Sequence, residues 1–225
     1  PELVLFGDDA VPAPPICAED DRPRGFYWTE GNRGLGWAVD SVPTLKAGST
    51  IGIPSPPAIW LPAHDTVVTP TIEDAEAFQG LPRRWTSAAT NDERSHRSRW
   101  RLVGNAVPAP ITEWVGSRLI QPSDRIAGSV HNLRRSDSWP NAAFGHGGHR
   151  FSVSVSTWPV CLPWRGLAAR YGEDGARLLE RPPLSRRATA GFHDRIKRSS
   201  LRTDPRFIPS LGMHLKRQIY LQTSA

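Results

Sequence analysis

Ile111, Trp114, Val115 and Leu119 fall at the i, i+3, i+4 and i+8 positions of one helical face. A stripe of that spacing predicts an amphipathic helix over residues 108–119 with one side meant for burial. The stretch that leads into it, Gly104-Asn105-Ala106-Val107-Pro108-Ala109-Pro110, is a turn of small residues. Asn105 is a good helix cap, and prolines are tolerated in a first helical turn. Such a start brings backbone close to a ligand, and its unpaired N–H groups favour a carboxylate or phosphate. A helix start with no ligand uses the same residues.

Elsewhere the chain resists long regular elements. It has 22 Pro and 19 Gly in 225 residues, and only 38% of the residues are hydrophobic. Nine Trp compensate, since each buries a large area. The expectation is a loop-rich protein with Trp-anchored satellite cores rather than one regular sheet or bundle. The length suffices for one or two domains.

The formal net charge is +6, carried mostly by Arg, much of it in the second half. Arg grips phosphate as a planar fork, so nucleic acid is a fair partner; a solvated basic surface is the plain alternative. Two cysteines, Cys17 and Cys161, are too few for a disulfide scaffold or a zinc site, and fit a reduced, cytoplasmic setting. No apolar run is long enough to span a bilayer, no signal peptide stands at the start, and no membrane partner is expected. The chain begins with Pro1, which suggests processing or a longer parent chain.

Local patterns mark the elements. Glu2-Leu3-Val4-Leu5-Phe6 is a short strand candidate before a Pro/Asp-rich connector. Residues 25–60 read as short extended pieces broken by Gly and Pro. Thr71 with Asp74 three residues on forms a capping-box pattern for a helix over 71–79, stopped by Gly80 and Pro82. Residues 87–98 read as a polar loop and 121–138 as a linker. Arg150-Phe151-Ser152-Val153-Ser154-Val155-Ser156 alternates as a half-buried strand does. Segments 165–181 and 186–197 are helical candidates, and the basic end from Ser199 is expected to be partly helical or loose.

Two blocks stand in fixed order about twenty residues apart: Thr71-Ile72-Glu73-Asp74-Ala75-Glu76-Ala77-Phe78-Gln79-Gly80-Leu81-Pro82 and Trp100-Arg101-Leu102-Val103-Gly104-Asn105-Ala106-Val107-Pro108-Ala109-Pro110. Together they resemble the last two signature blocks, the ninth and tenth, of the DNA cytosine-5 methyltransferases. Asp40-Ser41-Val42-Pro43-Thr44-Leu45-Lys46-Ala47-Gly48 is similar to the family's Pro-Thr stretch at the edge of the target-recognition region. The likeness is dense over residues 25–120 and looser over 139–207, where the tail resembles extensions carried by some members.

There are departures. The family's ninth block usually has Arg where this chain has Glu73, and often a second Arg where it has Ala77. The helix should survive, with different ion pairs. The Pro-Cys nucleophile, the Glu-Asn-Val stretch, the Gln-x-Arg-x-Arg block and the Phe-x-Gly-x-Gly cofactor loop are not among these residues. Cys17 follows Ile16 and Cys161 follows Val160.

The resemblance therefore implies an α/β fold: the C-terminal portion of a Rossmann-like S-adenosylmethionine-dependent methyltransferase, with an irregular β-rich small domain and an α+β tail. It implies a connector over 1–24, the end of the recognition domain over 25–70, the last two blocks returning to the catalytic domain over 71–120, a linker over 121–138 and an extension over 139–225. In the family a cysteine thiolate attacks C6 of a flipped-out cytosine, and C5 then takes a methyl group from S-adenosyl-L-methionine. This chain would supply no catalytic residue and should be inactive alone. Asn105, Ala106 and Val107 would form a wall of the cofactor site. Thr44, Lys46, Ser49 and Thr50 would contact the phosphates of double-stranded DNA. The Arg-rich run from Arg94 to Arg99 would add charge or simply be solvated. The implied partner is a catalytic N-terminal half, in cis or as a separate subunit.

A non-catalytic remnant, or a basic DNA-binding module without cofactor, is the alternative. A Trp-rich extracellular binding domain would need an export signal. His146-Gly147-Gly148-His149 suggests a metal, but lacks further ligands at useful spacing, and a glycine-rich turn between strands accounts for it better; no metal is expected. Trp28 and Trp37 are the tryptophans to consider for base stacking.

Overall fold

The four residues Ala58-Ile59-Trp60-Leu61 form a strand in which every side chain is buried. A short continuous apolar run of this kind marks a strand covered on both faces. The computed structural model describes residues 20–29, 35–47, 56–89, 93–122, 130–154 and 166–223. In it this strand, β3 (Ala58–Leu61), lies between β1 (Arg24–Phe26) and β4 (Thr66–Val68), with β2 (Ala38–Val39) on the outer side of β1. The order is β2-β1-β3-β4 and every pairing is antiparallel.

Side chains of β3 alternate between two cores, as the period of two requires. Ala58 and Trp60 join Phe26, Val67, Leu184, Phe192, Ile196, Phe207 and Leu211. Ile59 and Leu61 join Val68, Leu167, Tyr171 and Leu178. The first core comes from α5 (Arg186–Lys197) and α6 (Phe207–Thr223), the second from α4 (Leu167–Tyr171) and the 3-10 helix Ala176–Glu180. Trp60 donates its indole N–H to the Ser210 hydroxyl at 2.8 Å, which ties α6 to the central strand. Trp28 and Trp37, the stacking candidates, pack against this first core. Trp37 meets the Phe207 ring edge-on at 4.9 Å.

α1 (Ile72–Phe78) follows β4 and carries the capping box expected at Thr71 and Asp74. α5 has the boundaries anticipated from its pattern, with the Ser185 side chain as its cap. The polar stretch 87–98 differs from its expectation, because α2 runs from Glu93 to Asn105. Trp100 and Val103, three residues apart, are buried with Leu45, Ile72 and Ala75. That packing outweighs the weak helix preference of the polar residues before them. The tail from Ser199 is partly helical, one of the two forms expected: residues 199–206 are irregular and α6 follows from Phe207 to Thr223.

The chain divides into two compact units, one of Ile16–Ala109 with Trp164–Ala225 and one of Pro1–Pro15 with Pro110–Pro163. The sheet and helices above belong to the first. In the second, α3 (Ala109–Ile120) buries none of its side chains, and Leu119 and Ile120 are 64% and 80% exposed. The same unit holds an antiparallel sheet of β5 (Val130–Asn132), β7 (His149–Val153) and β6 (Ala143–His146), in that order. β5 lies inside the stretch expected to be linker. β6 and β7 are joined through Gly147 and Gly148, both at positive φ, which suits a tight hairpin. The whole is a mixed α/β structure with small antiparallel sheets.

His214 on α6 is 2% exposed. Its Nδ1 accepts the Val67 N–H at 3.3 Å, and its Nε2 faces the Leu184 carbonyl at 3.1 Å. Burial pushes its pKa below the ordinary 6.5, and nearby Arg217 adds to this, outweighing the Leu184 carbonyl. An unfolded chain takes up a proton near pH 6.5 that the folded chain refuses. Stability is therefore full above that pH and falls as pH drops below it, until the folded value is passed. Urea midpoints measured between about pH 8 and 5 should decline on the acid side, and the decline should be shallower in His214→Asn.

Candidate functional site

The capping box of α1 places Gln79 at its C-terminal end, where the residue is 6% exposed. From there Gln79 holds both ends of the small-residue turn. Its side-chain Nε2 donates to the Val103 carbonyl at 2.9 Å and to the Ala106 carbonyl at 3.4 Å. Its own carbonyl accepts the Ala109 N–H at 2.8 Å. These bonds join the two sequence blocks. A long polar residue between Phe78 and Gly80 was not singled out by spacing or charge, so its role was missed in the sequence.

The turn itself differs from the expectation that Asn105 opens a helix. Asn105 is the last residue of α2, and Gly104 lies in that helix's final turn. α3 begins at Ala109, with Pro110 in its first turn. Gly-Asn is a stop pattern at a helix end, and the prolines that follow suit the next start. The segment thus links two helices.

Gly104 has a steric reason. A Cβ there would overlap the Lys46 carbonyl and the Ala47 nitrogen. The backbone of the Pro-Thr stretch therefore lies directly on the end of α2. Leu45 sits in the core with Ile72, Ala75, Trp100 and Val103. Tyr27 braces the stretch, since its hydroxyl donates to the Thr44 carbonyl and its ring lies 3.7 Å from the Lys46 Nζ. Segments 44–47, 72–79 and 100–109 are brought together in one cluster.

The candidate residues emerge on its outside. Thr44, Lys46 and Asn105 are exposed, Val107 is 63% exposed, and Ala106 is half-buried. Ser49 and Thr50 lie outside the described residues, as do Cys17 and Cys161. Arg97 and Arg101 are exposed one turn apart on α2. Among the described residues no group of His, Cys, Asp or Glu has the arrangement of a metal site.

The departure at Glu73 is built into a local network. Glu73 pairs with Arg99 at 3.0 Å. Glu76, fully buried, accepts the Arg84 and Thr86 N–H groups at 2.6 and 2.8 Å, the Thr86 hydroxyl at 2.6 Å, and an Arg99 N–H at 3.1 Å. Burial pushes the Glu76 carboxyl up, but the hydrogen bonds from Thr86, Arg99 and Arg84 outweigh it and hold it below its ordinary value. Arg99, read from sequence as part of a solvated run, is an internal counter-charge.

Among the described residues no helix is long and apolar enough to cross a membrane. No protein-family model and no solved structure matches the chain. The Type II methyltransferase M2.BsuMI of Bacillus subtilis (strain 168) is 38% identical over 228 residues. That alignment covers 97% of this chain and 56% of the relative. Over nearly its whole length the chain is thus similar to a bacterial type II methyltransferase, which supports the methyltransferase family, and it spans about half the length of that relative.

Proposed function

We propose that the chain is the C-terminal part of a DNA cytosine-5 methyltransferase of a restriction-modification system. The observation that carries this reading is the clamp: Gln79 of one family-like block holds the Val103–Ala109 turn of the other, while Gly104 seats the Thr44–Ala47 backbone. Three segments that resemble the family in sequence meet at one place, and the similarity to a type II methyltransferase supports the methyltransferase part of this reading.

In this reading Asn105, Ala106 and Val107 form a wall against S-adenosyl-L-methionine. Asn105 and Val107 are accessible, Ala106 is small, and the turn is held from behind by Gln79, so these residues fit such a group. When bound, the cofactor supplies the methyl group. Thr44 and Lys46, with Ser49 and Thr50, hydrogen-bond DNA phosphates. The uncovered apolar residues of α3, Ile111 and Leu119 among them, pack on the parallel sheet of a Rossmann-like catalytic domain. That domain, in cis or as a separate polypeptide, brings the Pro-Cys nucleophile, and these residues alone transfer no methyl group. A non-catalytic remnant or a basic DNA-binding module is the second reading, favoured by one observation: neither Cys17 nor Cys161 follows a proline.

Titration of the cofactor against the assembled enzyme tests the wall. Asn105→Asp puts a negative charge where the reading places the methionine carboxylate, and affinity should fall about tenfold or more. Unchanged affinity would remove Asn105 from the site. Salt titration tests the DNA contacts, since binding that does not weaken with added salt contradicts phosphate recognition.

A further inference from the structure

A cleft of about 340 Å³ opens beside α1, and none of the residues assigned above lines it. Its lining includes Asp74 and Arg181, which are joined by two hydrogen bonds of 2.6 and 3.0 Å. Tyr171 donates its hydroxyl to the same carboxylate at 2.8 Å. This part of the lining is internally satisfied. Around it stand Arg83 from the loop after α1, Arg170 from α4, and Arg177 from the following 3-10 helix, all exposed. Among the described residues the side chains of these three arginines make no hydrogen bond or ion pair. Two further acids line the cleft. Glu73 is engaged by Arg99, and Glu180, with an 80% exposed side chain, reaches only Arg181 at 3.9 Å.

Three guanidinium groups around one concavity repel one another, while Asp74 and Glu73 are already paired with other arginines and only the exposed Glu180 remains to offset them. An anion placed among them relieves that repulsion. The guanidinium fork matches the oxygens of phosphate, and a tetrahedral phosphate offers oxygens to several forks at once where a carboxylate offers two in one plane. We infer that this cleft binds a phosphate group, held by Arg83, Arg170 and Arg177 over the Asp74–Arg181 pair. The same chemistry serves a phosphodiester of a DNA backbone or a free phosphate. The DNA source rests on the function proposed above, whereas the anion site does not.

The test compares two triple variants of equal charge. R83Q/R170Q/R177Q removes the cleft cations, and R187Q/R198Q/R202Q removes exposed arginines elsewhere in the same unit. Both replace surface side chains, and circular dichroism checks their folding. Binding to a short labelled duplex is measured across a salt series. The cleft variant should bind about tenfold or more weaker, with the salt slope reduced by about one, and the control should bind as wild type does. In parallel, Tm is measured in inorganic phosphate and in chloride at matched ionic strength. Phosphate should raise Tm of the wild type but not of the cleft variant.

Equal loss of DNA binding in both variants would show general surface charge and overturn the inference. So would unchanged DNA binding together with no phosphate-specific rise in Tm. A rise confined to the wild type, with DNA binding intact, supports the site and assigns it to free phosphate. Failure of the wild type to bind duplex at all would count against the proposed function, and the phosphate measurement alone would then decide the cleft.

Discussion

Replacing Asp74 with alanine is expected to cost about 3–5 kcal/mol of folding stability, the largest effect of any single change considered. The side chain is nearly buried, and four interactions meet on it. It accepts the Thr71 N–H at 3.0 Å, completing the cap of α1. It takes the Thr71 hydroxyl at 2.9 Å, the Tyr171 hydroxyl at 2.8 Å and the Arg181 guanidinium. The cap alone is worth about 1 kcal/mol. The remainder comes from leaving Arg181 without its counter-charge beside a Tyr171 whose hydroxyl has lost its acceptor. Asp74→Asn separates the two, because the amide oxygen still caps while the charge is gone, so an intermediate loss is expected.

The same carboxylate makes a pH prediction. Burial pushes Asp74 up, but Arg181, Thr71 and Tyr171 outweigh it and hold its pKa below the ordinary 3.8. Tyr171, buried against that carboxylate, is pushed up to about 12. A depressed carboxyl contributes stability at pH above its unfolded value, and the contribution is lost as pH falls through the folded value. The stability difference between wild type and Asp74→Asn should therefore be constant near neutrality and shrink below about pH 4. Urea unfolding as a function of pH measures it.

Gly104→Ala should cost about 2–3 kcal/mol, at the upper end of overpacking effects, although alanine is the better helix former. The added carbon falls on backbone atoms of Lys46 and Ala47, which cannot rotate away as a flexible side chain would. Either the Pro-Thr stretch lifts off α2, or the helix end unwinds. Gly116→Ala is the control, since a Cβ there meets nothing within 4 Å. It should be neutral or stabilising by about 0.5–1 kcal/mol. A Gly104→Ala protein as stable as wild type would show that the approach of Lys46 to α2 does not hold the cluster together.

The elements legible in the sequence are those specified locally. Thr71 and Asp74 mark α1 because a capping box is a three-residue relation, and α5 is marked by Ser185 with Phe192 and Ile196 at helical spacing. The alternation over 150–156 marks β7, which ends at Val153; Ser154 is outside the strand, and Val155 and Ser156 lie outside the described residues. α2 was not legible from Glu93 to Arg99, because its anchors, Trp100 and Val103, lie at the other end and bury against Leu45 and Ile72 from distant segments. Nor was the return of the tail, since the pair Asp74–Arg181 spans 107 positions and no local pattern encodes it. At the candidate site, the block residues could be found by likeness, but the clamp by Gln79 and the contact of Gly104 with Lys46 are long-range facts. Asn105 was misplaced for a related reason, because Gly-Asn reads equally as the end of one helix or the start of the next.

The central claim is that this chain completes a cytosine-5 methyltransferase whose nucleophile lies elsewhere. Co-expression with the reading frame immediately upstream, followed by transfer of labelled methyl from S-adenosyl-L-methionine to duplex DNA, tests it most directly. Mass spectrometry of the nucleosides should find 5-methylcytosine when both parts are present and none with this chain alone. Methylation by this chain alone, methylation at another base, or none by the combination would contradict it.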